Sequence, residues 1–230
     1  GDEKRDFYLE GFWRHVTMIG NTSECRLDWD FHFLFLILHI SHHMRREGVG
    51  FRQFYDLAVL IHSAESVLDW DRIQTEADSL DMRPFVSNCL AFCERWFGIA
   101  PPIPTELLDE DFFAAATETV FRNGVFGFNN EEHELYDVEK LRRSSALPLP
   151  ILKLRAGIGL VFPSYKTLAR VPKYEFLRGR PYLLPIAWLY RVIIALGQKN
   201  NRGRKLLKST IAATDEAVSA RQNMLSRWGL

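Results

Sequence analysis

From Phe31 to Ile40 the chain reads FHFLFLILHI, apolar at every position except His32 and His39. A helix that is apolar around its whole circumference is buried on all sides. Asp28 or Asp30 can cap its start, and Gly48 with Gly50 can end it after the charged run Arg45, Arg46, Glu47. This pattern predicts a central helix around which the other elements pack. Upstream, the aromatic-rich Phe7 to Ile19 is expected as a helix or an extended arm on that core, and Gly20 to Ser23 as a turn. Downstream, Phe51 to His62 places Phe51, Phe54, Tyr55, Ala58, Val59 and Ile61 at amphipathic helical spacing after a Gly-Val-Gly turn. Asp69 caps the next helix, with Arg72 where a capping box would hold Glu. Met82 to Phe97 carries Phe85, Cys89, Phe92, Cys93 and Trp96 on one stripe, and Gly98 sits where a left-handed helix end belongs.

Pro101, Pro102 and Pro104 break the helical pattern. They suggest a boundary between a helical core over residues 1–100, with its His-rich central helix, and a C-terminal helical subdomain over 101–230. Beyond them the pattern predicts helices over Leu108 to Phe121, stopped by Asn123-Gly124, and over Glu131 to Ser144, with a loop from Gly124 to Asn130 between them. Ile151 to Val161 reads as helix, although Gly157, Gly159 and its Val/Ile content also suit a strand. Phe162-Pro163-Ser164 is a turn. Tyr182 to Gly197 is expected as a buried helix, being too short and too interrupted by Pro185 and Arg191 to cross a bilayer. A last helix is expected from Arg204 to Trp228. The fold class is mainly α, a multi-helix bundle.

Composition narrows this little. With 230 residues, 47% of them hydrophobic, the chain can bury one sizeable core or two small ones. The formal net charge is zero, which gives no global electrostatic case for nucleic acid or an anionic membrane surface. Cys25, Cys89 and Cys93 form no disulfide framework, so a reduced, cytoplasmic compartment is the simpler expectation. The start is charged and does not read as a signal peptide.

Three constellations could carry chemistry. His39, His42 and His43 stand at i, i+3 and i+4, with His32 two turns earlier on nearly the same face and Asp56 soon after. Imidazoles in that pattern suit a divalent metal or a phosphate; they equally suit core-edge histidines bonded to backbone, Asp56 or Tyr55. Helical phosphohydrolases of the HD type need a His-Asp pair, and the pair here is His42-His43. Asp28-Trp29-Asp30 and Asp69-Trp70-Asp71 mimic the paired carboxylates of nucleotidyltransferases, but they enter helices, and capping explains them. Arg202, Arg204, Lys205 and Lys208 put positive charge at a helix start, against the macrodipole, which suits an anionic partner or a solvated face. Phosphate-loop and nucleophile-elbow motifs are absent from the sequence.

The stretch LFLILHISHHMRREGVGFRQFYDLAVLI, Leu34 to Ile61, followed by Asp69-Trp70-Asp71, resembles the helical part of an uncharacterised nucleotidyltransferase family of bacterial proteins. LVFPSYKTLARVPKY and RPYLLPIAWLYRV, between Leu160 and Val192, resemble that family's C-terminal segments. The resemblance implies a transferase whose metal-binding carboxylates lie in an upstream α/β domain, with Mg²⁺ expected for the complete enzyme and no cofactor in this chain. No position here matches those carboxylates, so the catalytic residues are unknown. The positions that match the helical motif are His39, His43, Arg52 and Asp56, which by analogy close a nucleotide or acceptor cleft. The reading is a helical accessory or substrate-binding region, incomplete alone, whose partners are a nucleotide and an acceptor, with no membrane and no strong nucleic-acid signal. The alternatives are a helical metal phosphohydrolase using the His cluster and a protein-interaction domain.

Overall fold

In the computed structural model the described residues are 2–46, 48–99, 101, 103, 105, 108–127, 136, 138–142, 145, 147–197 and 210–230. The chain is mainly α. Among the described residues its only sheet is a two-stranded antiparallel hairpin, Val16–Met18 against Cys25–Leu27, with Val16 opposite Leu27. It divides into two units, one of Gly1–His133 and Asn223–Leu230, the other of Glu134–Gln222.

The first unit is built from helices α1 (Asp2–Glu10), α2 (Trp29–Arg46), α3 (Phe51–Ala64), α4 (Trp70–Ser79), α5 (Arg83–Phe97) and α6 (Glu110–Arg122). Helix α2 packs on α3, α4 and α5, as the apolar run from Phe31 requires. Its ends follow the local chemistry. The Asp28 carboxylate accepts the Phe31 N–H at 3.0 Å, and the left-handed Gly48 closes the other end by donating to the His43 carbonyl. The helix is not buried all round, however. Phe31, Phe33, Leu34, Ile37, Leu38 and Ile40 are buried, whereas His32, Phe35 and Leu36 are half-buried and His39 is exposed. In α3 the buried face is Phe54, Leu57, Ala58, Leu60, Ile61 and Ala64; Tyr55 and Val59 face solvent.

Asp69 caps α4 through the Arg72 N–H, and Gly98 ends α5 at φ 69°. Cys89 and Cys93 are both buried on α5, and burial pushes the Cys93 thiol up to about 12. Residues from the far end of the chain complete this core. Trp228 lies 4.5 Å from Phe92 and 5.8 Å from Phe54, ring centre to ring centre. Burying such aromatic side chains is worth about 1.5–3 kcal/mol each before chain entropy is subtracted.

The second unit contains α7 (Leu149–Val161), the one-turn α8 (Tyr165–Leu168) and α9 (Leu184–Gly197). Helix, not strand, is therefore the state of Ile151 to Val161. Pro150 sits in the first turn of α7, where its missing N–H costs nothing. Short 3₁₀ turns at Pro172–Leu177 and Pro181–Leu183 connect α8 to α9. A last helix, α10 (Asp215–Trp228), begins in the second unit and ends in the first. The expected burial of Tyr182 to Gly197 is corrected: Ile186, Leu189, Tyr190 and Ile193 are exposed. Among the described residues no helix is long and apolar enough to cross a membrane. Most of the helix expected over Glu131 to Ser144, the end of the loop from Gly124, and the basic cluster Arg202, Arg204, Lys205 and Lys208 lie outside the described residues.

Candidate functional site

The half-open side of α2 faces the first turns of α3. There the fold brings together the four residues that the sequence singled out. His39, Arg52 and Asp56 line a small cleft of about 180 Å³ with Leu36, Ile40, Gln53 and Phe126. His43 stands one turn along α2 from His39, their rings edge to face at 4.5 Å. The His39 ring also lies parallel to Phe35 at 6.3 Å. Partial burial lowers the pKa of His39, and the neighbouring His43 lowers it further. At neutral pH His39 is thus a neutral imidazole, able both to donate and to accept a hydrogen bond.

Arg52 and Asp56 sit one turn apart on α3, with Nε 3.6 Å from the carboxylate. Both side chains are at least half exposed, so the pair is worth about 0.2–1 kcal/mol and is easily exchanged for another partner. The Arg52 guanidinium also lies over the Phe126 ring, 5.7 Å from its centre.

Phe126 reaches the cleft because a distant loop is sewn onto the start of α3. The Phe51 and Arg52 N–H groups donate to the carbonyls of Gly124 and Val125, each at 3.2 Å. Gln53 accepts the Gly50 N–H at 3.1 Å and donates to the Phe126 carbonyl at 3.2 Å. Asn123 donates to the Val49 carbonyl. The backbones approach so closely that a Cβ on Gly50 would overlap Gly124 O and Gly127 N, and one on Gly127 would overlap Gly50 N. Two amides at the head of α3 are therefore spent on protein carbonyls rather than left for an anion. An anion in this cleft would meet the Arg52 side chain.

The two Asp-Trp-Asp motifs meet at a second polar cluster. Asp28 and Asp69 are the caps of α2 and α4. Asp30, at 5% exposure, is more than part of a helix start. One of its oxygens accepts the Asp69 N–H at 2.9 Å, and the other accepts Arg72 Nη1 at 3.2 Å. Arg72 also approaches Asp28 at 3.6 Å and bonds Glu76 at 3.0 Å; Glu76 in turn accepts the Tyr8 hydroxyl at 2.6 Å. Burial raises the pKa of Asp30, partly offset by the Asp69 N–H, and burial with the Glu76 bond raises that of Tyr8. The spacing that makes each cap was readable in the sequence. That Asp30 and Arg72 would meet was not, because 42 residues separate them.

These carboxylates do not fit a Mg²⁺ ion. Both oxygens of Asp30 and one each of Asp28 and Asp69 accept backbone N–H groups or Arg72, and the Arg72 guanidinium already supplies the positive charge beside Asp28 and Asp30. Among the described residues no group of three or more His, Cys, Asp or Glu could hold a metal ion. His39, His42 and His43 meet edge to face, with His42 exposed at the rim.

No curated protein and no solved structure matches the chain. The first of the two stretches resembling the transferase family, with the central helix, the cleft residues His39, His43, Arg52 and Asp56, and both Asp-Trp-Asp motifs, lies inside residues 2–98; over those residues the chain matches the sequence model of the uncharacterised nucleotidyltransferase family.

Proposed function

We propose that this chain serves nucleotidyl transfer as a helical substrate-binding region, with the α2–α3 cleft holding a phosphate-bearing nucleotide or acceptor. One observation carries the reading: His39, Arg52 and Asp56, from two helices of the matched segment, line a single cleft, with His43 against the His39 ring. In this reading Arg52 exchanges its weak, exposed pairing with Asp56 for a phosphate oxygen. Neutral His39 offers a hydrogen bond beside it, and His43 and Phe35 hold its ring in place. Phe126 supplies an apolar wall under the guanidinium. In this reading the metal-binding carboxylates of the reaction come from outside the described residues.

The test is titration of the chain with nucleoside triphosphates and an assay of transfer with Mg²⁺. Binding is expected without transfer. Arg52→Gln is expected to weaken binding about 10–100-fold, the loss of one charge-assisted hydrogen bond of about 1.5–3 kcal/mol. Mg²⁺-dependent transfer by the chain alone, or an affinity untouched by Arg52→Gln, would refute the assignment.

A further inference from the structure

The zero net charge of the chain is a cancellation. Residues 134–222 hold 17 Lys and Arg against 6 Asp and Glu, a net +11. Residues 1–133 with 223–230 hold 12 against 23, a net −11. Within residues 149–197, all of them described, eight basic side chains stand against the single acid Glu175.

The same unit exposes two matching aliphatic stripes. Helix α7 presents Ile151, Leu154 and Ile158, and α9 presents Ile186, Leu189 and Ile193. Each set follows Ile-x-x-Leu-x-x-x-Ile, which places its three side chains on one face of the helix. Their exposures run from 47% to 65%. The helices are tied together by Arg191, which donates to the Leu160 carbonyl at 3.2 Å, and by Trp188, which donates to the Pro163 carbonyl at 2.9 Å. Aromatic side chains border the stripes, with Phe162 47% and Tyr182 73% exposed.

A partner for this surface must be apolar and anionic together. A second copy packed stripe against stripe sets one net +11 unit against another and is repelled. A nucleic acid satisfies the charge but leaves six aliphatic side chains without a stacking partner, since only rings and planar groups stack on bases. An anionic bilayer surface satisfies both. Headgroup phosphates take the Lys and Arg side chains, the acyl boundary takes the Ile and Leu stripes, and Tyr and Trp suit the level between them. At 14 residues α9 is about 21 Å long, short of the hydrocarbon thickness of about 30 Å, so it would lie along the surface. We propose that the second unit docks this chain onto an anionic lipid surface through the exposed faces of α7 and α9.

Flotation of the full chain with phosphatidylcholine vesicles containing about 30% phosphatidylglycerol tests this. Binding is expected, at least about tenfold weaker on pure phosphatidylcholine, and reduced when salt is raised from about 0.1 to 0.5 M. The exposed pair Leu154→Asn with Leu189→Asn is expected to cut binding about tenfold with an unchanged far-UV spectrum. Should that pair disturb folding, Arg170→Glu with Arg180→Glu tests the charge component and is expected to abolish the preference for the anionic lipid. No flotation at about 1 mM lipid, equal binding to both vesicles, or a dimer that buries the two stripes would overturn the proposal. So would tight binding of a single-stranded RNA probe in place of lipid.

Discussion

Replacing Gly127 by Ala tests the architecture of the cleft more sharply than changing any residue that lines it. Gly127 has φ 75°, a conformation that costs an L-residue about 1–2 kcal/mol. Its new Cβ would also lie 2.7 Å from Val49 Cα and overlap Gly50 N. Those neighbours are backbone, not the flexible end of a side chain, so the loop must move away. Moving it gives up the two hydrogen bonds from Phe51 and Arg52, at about 0.5–1.5 kcal/mol each. The expected destabilisation is therefore about 2–5 kcal/mol. Gly124 supplies the control: φ is 70°, yet a Cβ there meets nothing within 4 Å. Gly124→Ala should cost the conformational part alone, about 1–2 kcal/mol. Urea unfolding of both variants, followed by circular dichroism, gives the comparison. Equal costs, within about 0.5 kcal/mol, would show that the Gly50–Gly127 crossing does not hold the loop on α3, and the placement of Phe126 over Arg52 would fall with it.

Trp228→Ala should cost about 3–5 kcal/mol in the same assay, because its ring packs among Phe54, Phe85, Phe92 and Phe112; a loss below about 1 kcal/mol would remove it from the core. Asp30→Asn should change stability by less than about 1 kcal/mol at neutral pH, since Asn still accepts the Asp69 N–H and the lost pairing to the part-exposed Arg72 is offset by relief of a buried charge. Its pH dependence has a definite sign. Asp30 has a folded pKa above its ordinary 3.8, chiefly through burial, so its contribution to stability is full below that value and falls as pH rises through the folded pKa. Wild type should accordingly lose stability relative to Asp30→Asn on going up from pH 3.8, and a relative gain there would contradict the raised pKa of Asp30.

Helix starts and stops were legible in the sequence because they are local. Asp28 and Asp69 each bond an amide three residues ahead, and Gly98 and Gly124 take up left-handed conformations where the pattern stops. The hairpin at Val16–Met18 was not legible, since three-residue strands with half-exposed side chains leave no period to detect. The cleft was half legible. Spacing put His39 near His43 and Arg52 near Asp56, but nothing local announced that Phe126 would be laid over Arg52 from 74 residues away. The apolar run of α9 misled because hydrophobicity states only that a face avoids water, not what covers it. The zero net charge is likewise a sum that discards the sign each unit carries.

The passage of α10 from one unit into the other makes residues 134–222 an insertion within the first unit. Phe54 and Phe92 are made early, and their ring partner Trp228 comes off the ribosome after the whole insertion. During synthesis the first core must wait, without its Trp228 ring, while a basic segment emerges. Sequence kinship and folding autonomy therefore have different borders in this chain. The stretch shared with the transferase family stops at residue 98, while the smallest piece able to close over Phe92 must bring Trp228 with it.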